Sequence, residues 1–86
     1  MAEWKHLKYP HLTEKSMMLV DRANTIVFVV DQRSNKTDIR KEFEEIFGVK
    51  VERVNTEIGP KAKKKAYIKL EKEFNAADVA VKLGVV

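Results

Sequence analysis

Apolar and polar residues follow two different periods along the chain, and these predict three main strands and three helices. Six consecutive residues that are apolar or β-branched, Thr25 to Val30, predict a central strand covered on both faces. Apolar residues at every second position predict strands over 49–58, with a bulge near Glu52–Arg53, and over 65–70. A weaker edge strand is expected around Lys5–Lys8, in an arm of residues 1–12 whose regular pairing ends at Pro10.

Three residues of the kind that caps helix N-termini, Thr13, Asn35 and Asn75, each precede a segment with helical periodicity. Thr13 is expected to cap a helix from Glu14 to about Arg22, and Met17 and Met18 are interpreted as core residues rather than as a binding patch. The boundaries of the other two helices are marked by Asn35 and Gly48, and by Asn75 and Gly84.

The order of these elements predicts how the strands pair. The strands over 25–30 and 49–58 are joined by a helix, so they should run parallel with a right-handed crossover. The strand over 65–70 returns antiparallel and can insert between them. The expected fold class is therefore α+β, a split β-α-β (ferredoxin-like) sandwich with a mainly antiparallel sheet of three to four strands and helices. With 86 residues, the chain is expected to form a single domain.

Composition favours binding over catalysis. The chain has only three glycines, none in a phosphate-binding loop, and Ser16 and Ser34 lack a neighbouring His and Asp. His6 and His11 are expected to be exposed residues of the arm without metal. We therefore expect no enzymatic activity, no cofactor, no metal and no small-molecule substrate. There is no cysteine and no long apolar run, so we expect a cytoplasmic protein without direct membrane insertion.

Positive charge is concentrated at one turn. The net charge is +4, and four lysines lie within five positions after Gly59-Pro60, three in a hairpin loop over 59–64 and the fourth at the start of the next strand. Tyr67 and Lys69 continue this basic character along the next strand. Lysines around an aromatic ring are typical of contacts with an RNA backbone. Two alternatives remain: a free-standing RNA-binding protein, which lacks the paired aromatics it would need on strand 25–30, and a small acyl-phosphate hydrolase, which lacks an anion-cradling loop.

Four segments resemble, in order and spacing, the universal ribosomal protein twenty-three of the large subunit, in its archaeal form. They are Pro10 to Ser16, Asn35 to Arg40, Val49 to Thr56 and Lys64 to Leu70, and the resemblance covers residues 7–84. It implies binding to large-subunit rRNA beside the polypeptide exit tunnel, next to ribosomal protein twenty-nine. It also implies a docking platform for the signal recognition particle and the protein-conducting channel. The loop over 59–64 is shorter than in the bacterial form, so a tunnel-lining role is not expected.

Together, the resemblance and the basic face give a set of expected RNA-binding residues: Thr13, Lys15, Arg33, Lys36, Asn55, Thr56, Lys61, Lys63, Lys64, Lys65, Tyr67 and Lys69. For protein docking, charge complementarity to basic partners favours the acidic helix residues Glu42 and Glu45.

Overall fold

The computed structural model describes residues 4–84, which form one four-stranded sheet and three helices. The strands are β1 (Leu7–Pro10), β2 (Thr25–Val30), β3 (Val51–Ile58) and β4 (Lys64–Leu70). The helices are α1 (Glu14–Ala23), α2 (Lys36–Phe47) and α3 (Ala76–Leu83).

The sheet has the order β1-β2-β4-β3, and every neighbouring pair is antiparallel. β4 therefore inserts between β2 and β3, and the expected α+β arrangement is confirmed. In this register, Tyr67 of β4 lies opposite Val27 of β2 on one side and opposite Asn55 of β3 on the other. The register of β3 shifts between Val51 and Arg53, which confirms the predicted bulge.

Side-chain caps fix the start of each helix where the sequence predicts it. The side chains of Thr13, Asn35 and Asn75 accept backbone N–H groups from the first turns of α1, α2 and α3. At Thr13 the cap is reciprocal, because Ser16 Oγ also accepts the Thr13 N–H at 2.8 Å. α1 ends at Asn24, which adopts a left-handed conformation with φ of 51°.

The core lies on the face of the sheet that carries Ile26, Phe28 and Val30, and all three helices contribute to it. Phe28 is fully buried and has edge contacts with the rings of Trp4 and Phe43, at centroid distances of 5.7 and 5.8 Å. Trp4 therefore packs the arm onto the core. We call the opposite side of the sheet, which carries Val27, Asn55 and Tyr67, the outer face.

The expected edge strand in the arm is present, but its position and the effect of Pro10 differ from the prediction. The edge strand lies at Leu7–Pro10, not around Lys5–Lys8, and Pro10 is still paired, opposite Phe28. An edge strand tolerates proline because one side of its backbone has no partner strand to bond. The first three residues of the predicted arm lie outside the described residues.

Met17 and Met18 are 41% and 45% exposed, so they are not core residues. The buried position in this part of α1 is Ser16, whose hydroxyl group is held by backbone hydrogen bonds. Within residues 4–84, no helix has the length and apolar character needed to cross a membrane.

Candidate nucleic-acid interface

The β3–β4 connection is a tight turn that presents lysines in fixed positions. The Gly59 N–H donates to the Lys63 carbonyl at 2.8 Å, and Pro60–Ala62 form a single 3-10 turn. Lys61 and Ala62 both have positive φ, 62° and 57°. The side-chain amide of Gln32 donates to the Ala62 carbonyl, which ties the turn to the loop after β2.

This turn, β1 and the loop after β2 enclose a polar depression that we call the basic groove. It has a volume of about 460 Å³, and its cationic residues are Lys8, Arg33, Lys61, Lys63 and Lys64. The Lys63 ammonium lies 5.5 Å from the centre of the Tyr9 ring, at the distance of a cation–π contact. The groove therefore has excess positive charge and an aromatic wall.

Asp31 is the acidic residue of the groove, and its carboxylate has a local partner. One carboxylate oxygen accepts the backbone N–H of Arg33 at 2.8 Å. This bond fixes the turn that carries Arg33, and it satisfies part of the acceptor capacity of Asp31.

Lys64 contacts a different part of the molecule from the lysines on either side of it. It shares a strand face with the core residues Ala66 and Ile68, and its ammonium donates to the Ser34 carbonyl at 2.6 Å. Because strand side chains alternate between faces, the run of lysines is divided between two sides of the sheet.

On the outer face, Lys65, Tyr67 and Lys69 form a row along β4, with Asn55 beside Tyr67 on β3. Lys69 forms an ion pair with Glu52, with 3.6 Å between Nζ and Oε2. Thr13 and Lys15 border the same face from the start of α1.

Two of the predicted RNA-binding residues lie apart from these clusters. Thr56 lies opposite Ala66 and therefore belongs to the helix side of the sheet. Lys36 is exposed in the first turn of α2. The other predicted residues lie in the basic groove or on the outer face, and Lys64 lines the groove while its ammonium donates to the Ser34 carbonyl.

Residues at these surfaces that were not predicted from the sequence include Lys8, Tyr9 and His11. Lys8 and Tyr9 line the basic groove, and His11 borders the outer face. Burial, followed by the positive charges of Lys65 and Lys63, lowers the pKa of His11. These arm residues lie near the lysines only because β1 pairs with β2. Their spacing in the sequence does not indicate this proximity.

Both histidines are half-buried, so the expectation of exposed arm histidines is wrong. His6 Nδ1 lies 2.6 Å from the hydroxyl oxygen of Ser34. Across residues 4–84, no group of three acidic or histidine side chains is arranged to hold a metal ion.

Comparison with known proteins places this chain in a family. A family model described as Ribosomal protein L23 matches residues 5–82. A protein of Methanothermobacter thermautotrophicus named large ribosomal subunit protein uL23 is 60% identical over 76 residues, which is 88% of each chain. Proteins of the same name from Methanococcus aeolicus and Methanococcus maripaludis are each 46% identical over 79 residues, which is 92% of each chain. The chain belongs to the ribosomal protein L23 family. The archaeal type expected from the sequence is confirmed by these relatives.

The two acidic residues expected to dock proteins lie in different environments in this member of the L23 family. The carboxylate of Glu42 accepts the backbone N–H groups of Lys5, His6 and Leu7, the last two at 2.8 and 2.7 Å. Glu42 therefore holds the arm against α2. Glu45 is exposed on the same helix, so its charge faces solvent.

Proposed function

We propose that this chain is a structural constituent of the large ribosomal subunit that binds large-subunit rRNA through the basic groove and the outer face. The observation that supports this most is the groove itself. Five cationic residues and an aromatic ring from three separate segments converge there, and Asp31 is the one acid that borders it within the described chain. Membership of the L23 family supports the ribosomal setting.

The composition of the groove favours contacts with phosphates over readout of base sequence. Four of its five cationic residues are lysines, which act as point charges, whereas arginine has a fork that matches planar groups. Phosphate contacts position a protein on RNA and make its affinity strongly dependent on salt. A protein that is bound at one place in a large folded RNA needs this kind of positioning.

We further propose that the chain lies beside the polypeptide exit tunnel, next to ribosomal protein twenty-nine, and forms part of a docking platform for the signal recognition particle and the protein-conducting channel. The turn over Gly59–Lys63 supports a place at the exit rather than inside the tunnel, because it is short and is closed by the bond from the Gly59 N–H to the Lys63 carbonyl. Glu45 is the acidic side chain best placed for docking, since the Glu42 carboxylate is held by the arm.

RNA binding is tested by the double change Lys61→Ala with Lys63→Ala in the full chain. We expect the affinity for large-subunit rRNA at moderate salt to fall by about ten- to a hundredfold, because roughly two phosphate contacts are lost. The slope of log affinity against log salt concentration should fall by about two. Filter binding over a series of KCl concentrations measures both quantities.

Lys72→Ala is the matched control for this test. It removes an exposed lysine between β4 and α3, outside the basic groove. We therefore expect almost no change in the affinity or in the salt slope. A double variant that keeps the slope of the unmodified chain would contradict RNA binding by the groove.

Docking is tested by Glu45→Lys in assembled large subunits. Binding of the signal recognition particle to these subunits should weaken several-fold, because a basic partner then meets a like charge. Glu73→Lys, at an exposed position before α3, is the matched control and should leave binding unchanged. Equal binding by both variants would show that the α2 charge has no part in docking.

A further inference from the structure

A depression on the outer face has the chemistry of a site for a single nucleotide. It has a volume of about 190 Å³ and lies between α1, β3 and β4. Five of its side chains carry the argument: His11, Lys15, Glu57, Lys65 and Tyr67. We call this depression the Tyr67 pocket. It is separate from the basic groove, which is lined by other residues.

Tyr67 provides an aromatic surface that no other ring uses within the described chain. The aromatic contacts of residues 4–84 all belong to Trp4, Phe28, Phe43 and Phe47 on the core side. Tyr67 is half-buried on the outer face, between Val27 and Asn55 in the register of the sheet. A ring held in the middle of a strand, with charged residues around it, is suited to stack on an unpaired base.

His11 gives the pocket a rigid polar side. Its backbone N–H donates to the Val27 carbonyl at 2.9 Å, and its carbonyl accepts the Ser16 hydroxyl at 2.7 Å. Within residues 4–84 no hydrogen bond occupies the imidazole of His11, and burial and the nearby lysines lower the pKa of the ring. A neutral imidazole has one donor and one acceptor, which suits a ribose hydroxyl group.

The charges of the pocket indicate which base it favours. Lys15 and Lys65 can neutralise a phosphate, whereas the carboxylate of Glu57, opposite Lys65 on β3, only accepts hydrogen bonds. Guanine has two adjacent N–H donors on its Watson–Crick edge, which match the two oxygens of a carboxylate. Uracil has a single donor between two carbonyl acceptors, so it fits a carboxylate poorly.

We propose that the Tyr67 pocket binds one unpaired guanine nucleotide of RNA, with the base stacked on Tyr67 and its donor edge at Glu57. This inference rests on the proposed RNA-binding function and adds a preference for one base to it. Lys15 and Lys65 hold the adjoining phosphate, and His11 contacts the ribose. The basic groove binds phosphates without regard to sequence, so the pocket is where the chain distinguishes bases.

The test compares two short RNA probes on the full chain. The probes are fluorescein-labelled pentauridylate and the same oligonucleotide with guanine at its centre. Fluorescence anisotropy at low salt gives the two dissociation constants. We expect the guanine probe to bind about tenfold more tightly, as is usual for a bidentate contact with a base edge.

Three variants separate the parts of the proposal. Glu57→Gln should reduce the guanine preference to nearly none while leaving pentauridylate binding equal or stronger, because a negative charge is lost. Tyr67→Leu should weaken the guanine probe by about tenfold through the loss of stacking. Lys63→Ala, the control in the basic groove, should weaken both probes by the same factor. Circular dichroism confirms that each variant is folded.

The outcomes also separate this inference from the proposed function. Equal affinity of the unmodified chain for both probes, or a preference that survives Glu57→Gln, would overturn the guanine site. If Lys63→Ala still weakened both probes in that case, RNA binding itself would stand. Failure of the unmodified chain to bind either probe or large-subunit rRNA would overturn both.

Discussion

Replacing Glu42 by alanine is expected to lower the free energy of unfolding by about 3 kcal/mol. Its carboxylate accepts three backbone N–H groups of the arm, from Lys5, His6 and Leu7. Hydrogen bonds to a charged acceptor contribute about 1.5 to 3 kcal/mol each, and water replaces part of this at the more exposed N–H groups. Urea unfolding followed by tryptophan fluorescence measures the change, since Trp4 packs at the end of the same arm.

Two matched variants distinguish the loss of the Glu42 hydrogen bonds from the loss of a negative charge on α2. Glu45→Ala removes an exposed acid three residues further along, and should change stability by no more than about 0.5 kcal/mol. Glu42→Gln keeps one oxygen acceptor without its charge, and should lose about half as much stability as the alanine variant. If Glu42→Ala and Glu45→Ala were equally stable, the three N–H groups would have to be satisfied by water at no cost, and the anchoring role would be wrong.

The sequence was sufficient to predict elements whose signals are local. Thr13, Asn35 and Asn75 are short polar residues before helical periodicity, and each caps the helix expected of it. The bulge in β3 was predictable because one extra residue shifts the alternation of apolar positions there. The insertion of β4 between β2 and β3 followed from short connections and the handedness of the crossover.

Features that depend on contacts distant in sequence were not predictable in this way. From the sequence alone, Glu42 is expected to be a solvent-exposed acidic residue of a helix. Its hydrogen bonds to backbone N–H groups depend on the position of the arm, which lies 35 or more residues earlier in the chain. Met17 and Met18 have apolar side chains, yet the rotation of α1 buries Ser16 instead of them. Apolar character alone does not determine which side of a short helix faces the core.

The positive charge of the candidate site was predicted from the sequence, and its division between the two faces of the sheet could have been. The lysine run identifies a basic turn, and the strand period already assigns Lys64 to the opposite face from Lys65. The use of that period would have separated Lys64 and its Ser34 contact from the outer-face row of Lys65, Tyr67 and Lys69. The positions of Tyr9 and His11 could not be predicted, because they depend on the irregular register between β1 and β2.

Replacing Asn24 by alanine is expected to lower the free energy of unfolding by about 3 to 4 kcal/mol. The Asn24 side chain donates to the carbonyls of Leu70 and Phe74, at 3.3 and 2.9 Å, and accepts the Ala76 N–H at 2.7 Å. It thereby joins the end of α1 to the end of β4 and the start of α3. Alanine loses these bonds and must also adopt φ of 51°, which suits it less well than asparagine. Thermal and urea unfolding measure the loss.

Two other substitutions at Asn24 separate the backbone conformation from the side-chain bonds. Asn24→Gly keeps the left-handed conformation without strain, so it should be about 1 kcal/mol more stable than Asn24→Ala. Asn24→Asp has nearly the same shape, but it cannot donate and would place a carboxylate beside the Leu70 and Phe74 carbonyls. It should therefore be at least as unstable as the alanine variant near neutral pH. Full stability of Asn24→Asp would show that the two carbonyls do not need the amide donor, and that the backbone conformation and the bond from the Ala76 N–H are enough to hold the junction.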